Sequence, residues 1–199
     1  VRGTHHTPVS IDIHRPRGAR PAGDAVHFAP LTAPWTPATA APALHEAAVH
    51  LWHVPLLATT APSPATLDAD PATLVLAAHA NGKPALAAPH AALAFNLSHG
   101  RHCALVAVAR GRALGVDVEC DVVGADDALA IAHDAFAPEE WRALARLPDD
   151  ASREAAFRRA WCCKEAWLKA HGVGLGAPLA EVPVTDLGAA GCRLVDRDP

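Results

Sequence analysis

Gly115-Val116-Asp117-Val118-Glu119-Cys120-Asp121-Val122-Val123-Gly124-Ala125-Asp126 is the stretch on which the reading of the fold turns. Over 115–119 apolar and acidic residues alternate with period two, the pattern of a short strand with Val116 and Val118 on one face and Asp117 and Glu119 on the other. Beyond Gly124 the character becomes helical. Asp126 is suited to cap a helix running to about Ala135, and Pro138 to open a second at its first turn. Ser152 is suited to cap a long helix from Arg153 to His171, stopped by Gly172.

Upstream of this switch the chain reads as strands. Val49–Val54 alternates, Thr73–Ala78 closes at the turn Asn81-Gly82-Lys83-Pro84, and Ala94–Leu97 pairs with Cys103–Ala109 around a turn at Ser98-His99-Gly100. Glu181–Thr185 and Cys192–Val195 are weak late strands. Strands and helices interleave without a regular βαβ repeat, so the class is α+β.

The chain has 199 residues and 51% hydrophobic content, but 47 residues are alanine, leaving roughly 54 larger apolar side chains for a modest core. Its net charge of −4 and pI near 6.3 argue against a general nucleic-acid binder. No apolar run of membrane-spanning length and no secretory leader are evident, so no membrane partner is expected. The five cysteines have no metal-type spacing, which fits a reduced, cytoplasmic protein. There is no methionine, so the sequence is a processed form, a fragment or an alternative start. Residues 1–45 are rich in Pro, Ala and His and are expected to be disordered. His5, His6 and His14 in that leader have weak metal-binding spacing, and a solvated tail is the simpler reading.

Asp117 and Glu119 side by side repel unless a cation or water intervenes, and hard oxygen donors at this spacing suit Mg²⁺. A solvated strand face is the ordinary alternative. On the long helix, Phe157, Ala160, Trp161 and Leu168 form an apolar stripe, and Arg158, Cys162, Glu165 and Lys169 form a second. That helix carries five basic and two acidic residues between 153 and 171, a surface suited to an acidic partner. Ser98 and His99 adjoin on an extended chain and point apart, which disfavours a nucleophilic Ser–His pair and leaves phosphate contacts as the easier role.

Taken in order, Gly82-Lys83-Pro84, Phe95-Asn96-Leu97-Ser98-His99, Gly115-Val116-Asp117-Val118-Glu119, the Trp161–Ala170 stretch and Gly172-Val173-Gly174-Leu175 resemble the 4′-phosphopantetheinyl transferases of the surfactin-synthetase-activating (Sfp) type. The resemblance covers slightly over half the chain, from about Thr73 to Val184. It implies two similar α+β lobes related by a pseudo-twofold, here 46–122 and 123–199, with the first lobe abbreviated and the second stopping near its expected closing strands. It implies transfer of the phosphopantetheine arm of coenzyme A to a serine of an acyl or peptidyl carrier protein, with Mg²⁺ as cofactor, by a monomer.

By position, the resemblance makes Asp117, Glu119 and Glu165 the metal ligands, with Glu165 also the general base. Lys169 would neutralise the phosphate and assist the leaving group. Ser98 and His99 would contact coenzyme A phosphates, Gly82, Lys83 and Pro84 would line the nucleotide, and Lys164 would sit beside the substrate. No Arg or Lys occurs from Ala22 through Gly82, where such enzymes carry cations for the 3′-phosphate. A relative that binds carrier protein or coenzyme A without turnover, and a structural α+β protein, are the alternatives.

Overall fold

The structure, a computed structural model, describes residues 8–12, 48–55, 73–101, 103–121, 123–188 and 192–194. Its class is α+β, as the lack of a regular βαβ repeat predicts. Strands β1 (Pro8–Asp12), β2 (Ala48–Pro55), β5 (Leu93–His99) and β6 (Cys103–Arg110) form an antiparallel sheet in the order β1-β2-β6-β5. A hairpin of β3 (Leu76–Ala78) and β4 (Pro84–Leu86) lies outside that sheet. Helices α1 (Ala125–Ala135), α2 (Pro138–Ala145) and α3 (Asp150–His171) follow, and β7 (Val184–Thr185) pairs with β8 (Arg193–Leu194).

Several expectations are corrected. Pro8–Asp12 lies in the stretch expected to be disordered, yet pairs with β2 from Pro8↔Trp52 to Asp12↔Ala48. The physical reason is its Val9-Ser10-Ile11 alternation, a β-branched pattern in a leader otherwise poor in it. His5, His6 and His14 lie outside the described residues. Ser98 and His99 belong to β5, so the turn begins two residues later, at Gly100, whose N–H donates to Cys103 O at 2.9 Å.

Gly115–Glu119 forms no ladder strand. It crosses the face of β5, and side chains replace the missing ladder: Val116 N donates to Asn96 Oδ1 at 2.8 Å, and Val118 N to Ser98 Oγ at 3.3 Å. Alternate residues of β5 thus meet alternate amides of the segment.

Two hydrophobic clusters hold the molecule. Leu51, Leu105, Ala107, Ala109 and Leu114 form one on the sheet, with Ala94, Val116 and Val118 against it, as the period-two pattern of 115–119 predicts. Ala128, Ala132, Phe136, Leu144, Phe157, Ala160 and Cys163 are the centre of the other, between the helices and β7. Phe136 stacks on Phe157 with ring centres 5.6 Å apart, so the apolar stripe of α3 does face a core.

The helix ends follow local chemistry. The N-cap of α1 is Gly124 rather than Asp126, and Asp126 and Asp127 instead occupy the first turn, where negative charge favours the dipole. Pro138 takes the first position of α2, as predicted. Asp149 caps α3 by accepting from Ser152 N at 2.8 Å, so α3 starts a turn earlier than a Ser152 cap implies. Gly172 ends it in the left-handed conformation, φ 68°.

The 115–119 segment and α3 meet at Gly115, where a Cβ would overlap the carbonyl oxygen of Ala166 and the amide of Ala170. No helix among the described residues is long and apolar enough to cross a membrane.

Candidate active site

The close approach at Gly115 lays Asp117 beside the exposed stripe of α3. Lys169 Nζ reaches Asp117 Oδ1 at 2.5 Å and donates to Ser98 Oγ at 3.0 Å, while Ser98 donates to the same Asp117 oxygen at 2.8 Å. Asp117 is 4% exposed, and its second oxygen, Oδ2, is buried with no hydrogen-bond partner. A buried carboxylate oxygen left unused costs free energy unless a donor or cation reaches it.

Glu165 is buried one turn before Lys169, and Glu119 is two residues beyond Asp117. Burial raises the Glu165 carboxyl above the ordinary range, the Asp117 charge adds to this, and Lys169 opposes it. Glu119 is raised in the same way, first by burial and then by Asp117. The three carboxylates therefore feel one another's charge. Among the described residues no three His, Cys, Asp or Glu side chains are grouped closely enough to hold a metal ion, and Lys169 is the cation on Asp117. The donor types nonetheless suit a hard divalent ion: Asp117 Oδ2 is buried without a partner, and Glu119 and Glu165 are close enough to feel the Asp117 charge.

Cys162 packs beneath the same segment. Burial, and then the Asp117 charge, pushes its thiol upward, so it stays neutral there. Beside Glu119 a groove runs between α1 and α3, floored by Val123, Ile131, Phe157 and Trp161 and rimmed by Asp121, Glu154 and Arg158.

The remaining expected site residues are placed as follows. Gly82, Lys83 and Pro84 form the β3–β4 hairpin end, with Gly82 at φ 82°. Lys83 turns inward, Nζ donating to Leu114 O at 2.7 Å and Ala170 O at 2.8 Å, and burial lowers its pKa. It thereby ties the hairpin to the C-terminal end of α3, where a cation complements the helix dipole. Asn81 packs on Gly172, where a Cβ would strike its side chain. His99, expected beside Ser98 on phosphate, lies on the opposite face of β5 and is exposed.

Lys164 is a correction. Expected beside the substrate, it is 0% exposed in the helical core and donates to both carboxylate oxygens of Glu140, at 2.9 and 2.8 Å. It also donates to Leu179 O and Val182 O, so every N–H is used. The reason is angular: five residues before Lys169, it projects from another side of α3. Glu140 in turn accepts from Ala137 N and Val184 N, supplying the cap that Ala137 lacks. Asn96 and Glu140 are the positioning residues that sequence reasoning missed. The alternation Asn96-Leu97-Ser98 held the signal for Asn96, since it shares the face of Ser98.

Comparison with known proteins bears on this geometry. Residues 113–198 match the family model described as the 4′-phosphopantetheinyl transferase superfamily. The 4′-phosphopantetheinyl transferase HetI of Nostoc sp. is 38% identical over 120 residues, 59% of this chain and 49% of the relative. The L-aminoadipate-semialdehyde dehydrogenase-phosphopantetheinyl transferase of Xenopus laevis is 33% identical over 92 residues, 44% of this chain and 30% of the relative. A phosphopantetheinyl transferase of Thraustochytrium sp. is 30% identical over 143 residues, 66% of this chain and 49% of the relative. The chain thus spans half or less of the length of these relatives. Residues 113–198, which hold the carboxylate segment and all of α3, are thus the part of the chain that is similar to the 4′-phosphopantetheinyl transferase superfamily.

Proposed function

We propose that the protein transfers the 4′-phosphopantetheine group of coenzyme A to a serine of an acyl or peptidyl carrier protein, releasing adenosine 3′,5′-bisphosphate. The observation that carries this reading is the convergence of Lys169 and Ser98 on Asp117 Oδ1, with Oδ2 of the same carboxylate buried and unpartnered and Glu165 and Glu119 near enough to feel its charge.

Asp117, Glu119 and Glu165 would hold Mg²⁺. When bound, the ion would supply positive charge to the pyrophosphate oxygens. Glu165, raised by burial, is the group suited to take the proton of the incoming serine, because a base works best with its pKa near the working pH. The serine oxygen then bonds to the phosphorus that carries the pantetheine, and the phosphorus–oxygen bond to the nucleotide breaks. Lys169, freed from Asp117, is placed to neutralise the leaving phosphate. Ser98 orients Asp117 and Lys169, and the apolar-floored groove beside Glu119 suits the extended arm.

The two hydrophobic clusters support a two-lobed molecule, 46–122 and 123–199, with the site at their junction. On this reading the enzyme is a cytoplasmic monomer, and an acidic carrier protein meets α3 at Arg158, on the rim of the groove. A second reading, binding without turnover, is favoured by the absence of Arg or Lys from Ala22 through Gly82 and by the engagement of Lys83 on two carbonyls.

Incubation with coenzyme A, Mg²⁺ and an apo carrier protein, followed by weighing the carrier, decides between them. A gain of one phosphopantetheine mass supports the transferase, and carrier binding without gain supports the second reading. Neither binding nor gain overturns both.

A further inference from the structure

The turn between β5 and β6 encloses two thiols outside the acidic site. Cys103 opens β6 and is buried, whereas Cys120 follows Glu119 and is half-buried. Their sulfurs lie 3.0 Å apart, both cysteines being free. The placement is enforced. A Cβ on Gly100 would come within 2.7 Å of the Cys120 sulfur and 2.9 Å of its Cβ, so the turn closes directly over that side chain. Gly100 N is also bonded to Cys103 O, which fixes the turn to the strand carrying the other thiol.

We infer that Cys103 and Cys120 form a reversible dithiol–disulfide pair, a redox-modification site that takes a small-molecule disulfide as oxidant. The Cys120 sulfur attacks one sulfur of glutathione disulfide, and the departing glutathione carries away the Cys120 proton. The Cys103 sulfur then attacks the Cys120 sulfur of this mixed disulfide and expels the second glutathione, which takes the Cys103 proton. Two thiols are oxidised, one glutathione disulfide becomes two glutathiones, and every atom is accounted for.

Exposure sets the order of attack. Cys120 meets solvent, whereas Cys103 is buried, and burial, followed by its contact with Cys120, pushes the Cys103 thiol up to about 11, which makes Cys120 the first to attack. Closing the gap from 3.0 Å to a bond of about 2.05 Å draws the end of the 115–119 segment, and Glu119 with it, toward β6. Cys163 and Cys192, both buried in the helical core, serve as internal comparison.

The test is equilibration of the full chain in graded glutathione and glutathione disulfide, then quenching, alkylation and peptide mapping with trypsin. Cleavage after Arg101, Arg110 and Arg112 separates residues 102–110 from the peptide that begins at 113, so a link between them is unambiguous. The expected result is a 102–110 peptide joined to the Cys120 peptide, appearing as the buffer becomes oxidising and vanishing with dithiothreitol. Cys103→Ser should instead accumulate glutathione on Cys120. Separate alkylation of Cys103 and Cys120 in the most oxidising buffer would overturn the inference. So would a wild-type chain that stops at glutathionylated Cys120, or a Cys103→Ser chain that takes up none.

Discussion

Lys169 and Asp117, 52 residues apart in sequence, meet at 2.5 Å across the joint between α3 and the 115–119 segment. The ammonium lies on Oδ1 and leaves Oδ2 of the same carboxylate without a partner. The chain therefore supplies its own counter-cation to Asp117. Since Lys169 is 29% exposed and Asp117 only 4%, the lysine is the partner free to move.

Lys169→Met removes that counter-cation and leaves a buried carboxylate uncompensated. In metal-free urea denaturation the variant should lose about 1–3 kcal/mol. Added Mn²⁺ should recover part of the loss. Equal loss with and without Mn²⁺ would show that the ion does not bind at Asp117.

Glu165 ties stability to pH. Its folded pKa lies above the unfolded value of 4.5, so between the two the folded state binds more protons. Metal-free stability should fall as pH rises from below 4.5 through the folded value, then level off. Glu165→Gln lacks this loss, so its unfolding free energy relative to wild type should increase across the same window. The same substitution should lower the carrier-modification rate by at least about 10²-fold. A stability difference that stays constant with pH would remove the case for Glu165 as a raised carboxyl.

Lys164→Met strands Glu140 as a buried, unpaired charge and frees Leu179 O and Val182 O. The expected cost is about 3–5 kcal/mol in equilibrium unfolding. The rate per folded molecule should hold, because Lys164 touches no part of the site. A variant that is stable yet inactive would return Lys164 to the substrate.

Asn96→Ala deprives Val116 N–H of its acceptor, at a cost of about 1–3 kcal/mol. Asn96→Asp keeps an acceptor oxygen and should restore most of that stability. Mn²⁺ affinity, read by electron paramagnetic resonance, should weaken in the alanine variant and recover in the aspartate one. Unchanged Mn²⁺ affinity in Asn96→Ala would mean that the segment holds its shape without this bond.

Much of the fold is legible in the sequence because its signals are local. Alternation marks β2, the turn at Gly100 parts β5 from β6, Pro138 opens α2, and Gly172 stops α3. What escapes local reading is pairing at a distance. The 115–119 alternation is real, yet its amides bond to side chains 20 residues upstream rather than to a neighbouring strand. Lys164 and Lys169 look alike in sequence, and the stripe containing Glu165 and Lys169 already separates them by angle. Only Glu140, 24 residues away, reveals why Lys164 tolerates burial. Lys83 is similar, a turn cation whose partners at Leu114 and Ala170 become neighbours only once the hairpin docks on α3.

At Gly115 two stretches of backbone touch where any side chain would intrude upon Ala166 and Ala170. The spacing between the acidic segment and α3 is consequently gauged by main chain against main chain, a bearing surface with no adjustable part. Rotamer changes in Glu119, Glu165 or Lys169 can retune the chemistry without moving that bearing. One added methyl group at position 115 acts as a shim, spreading both halves of the site at once while every acid and base in it remains intact.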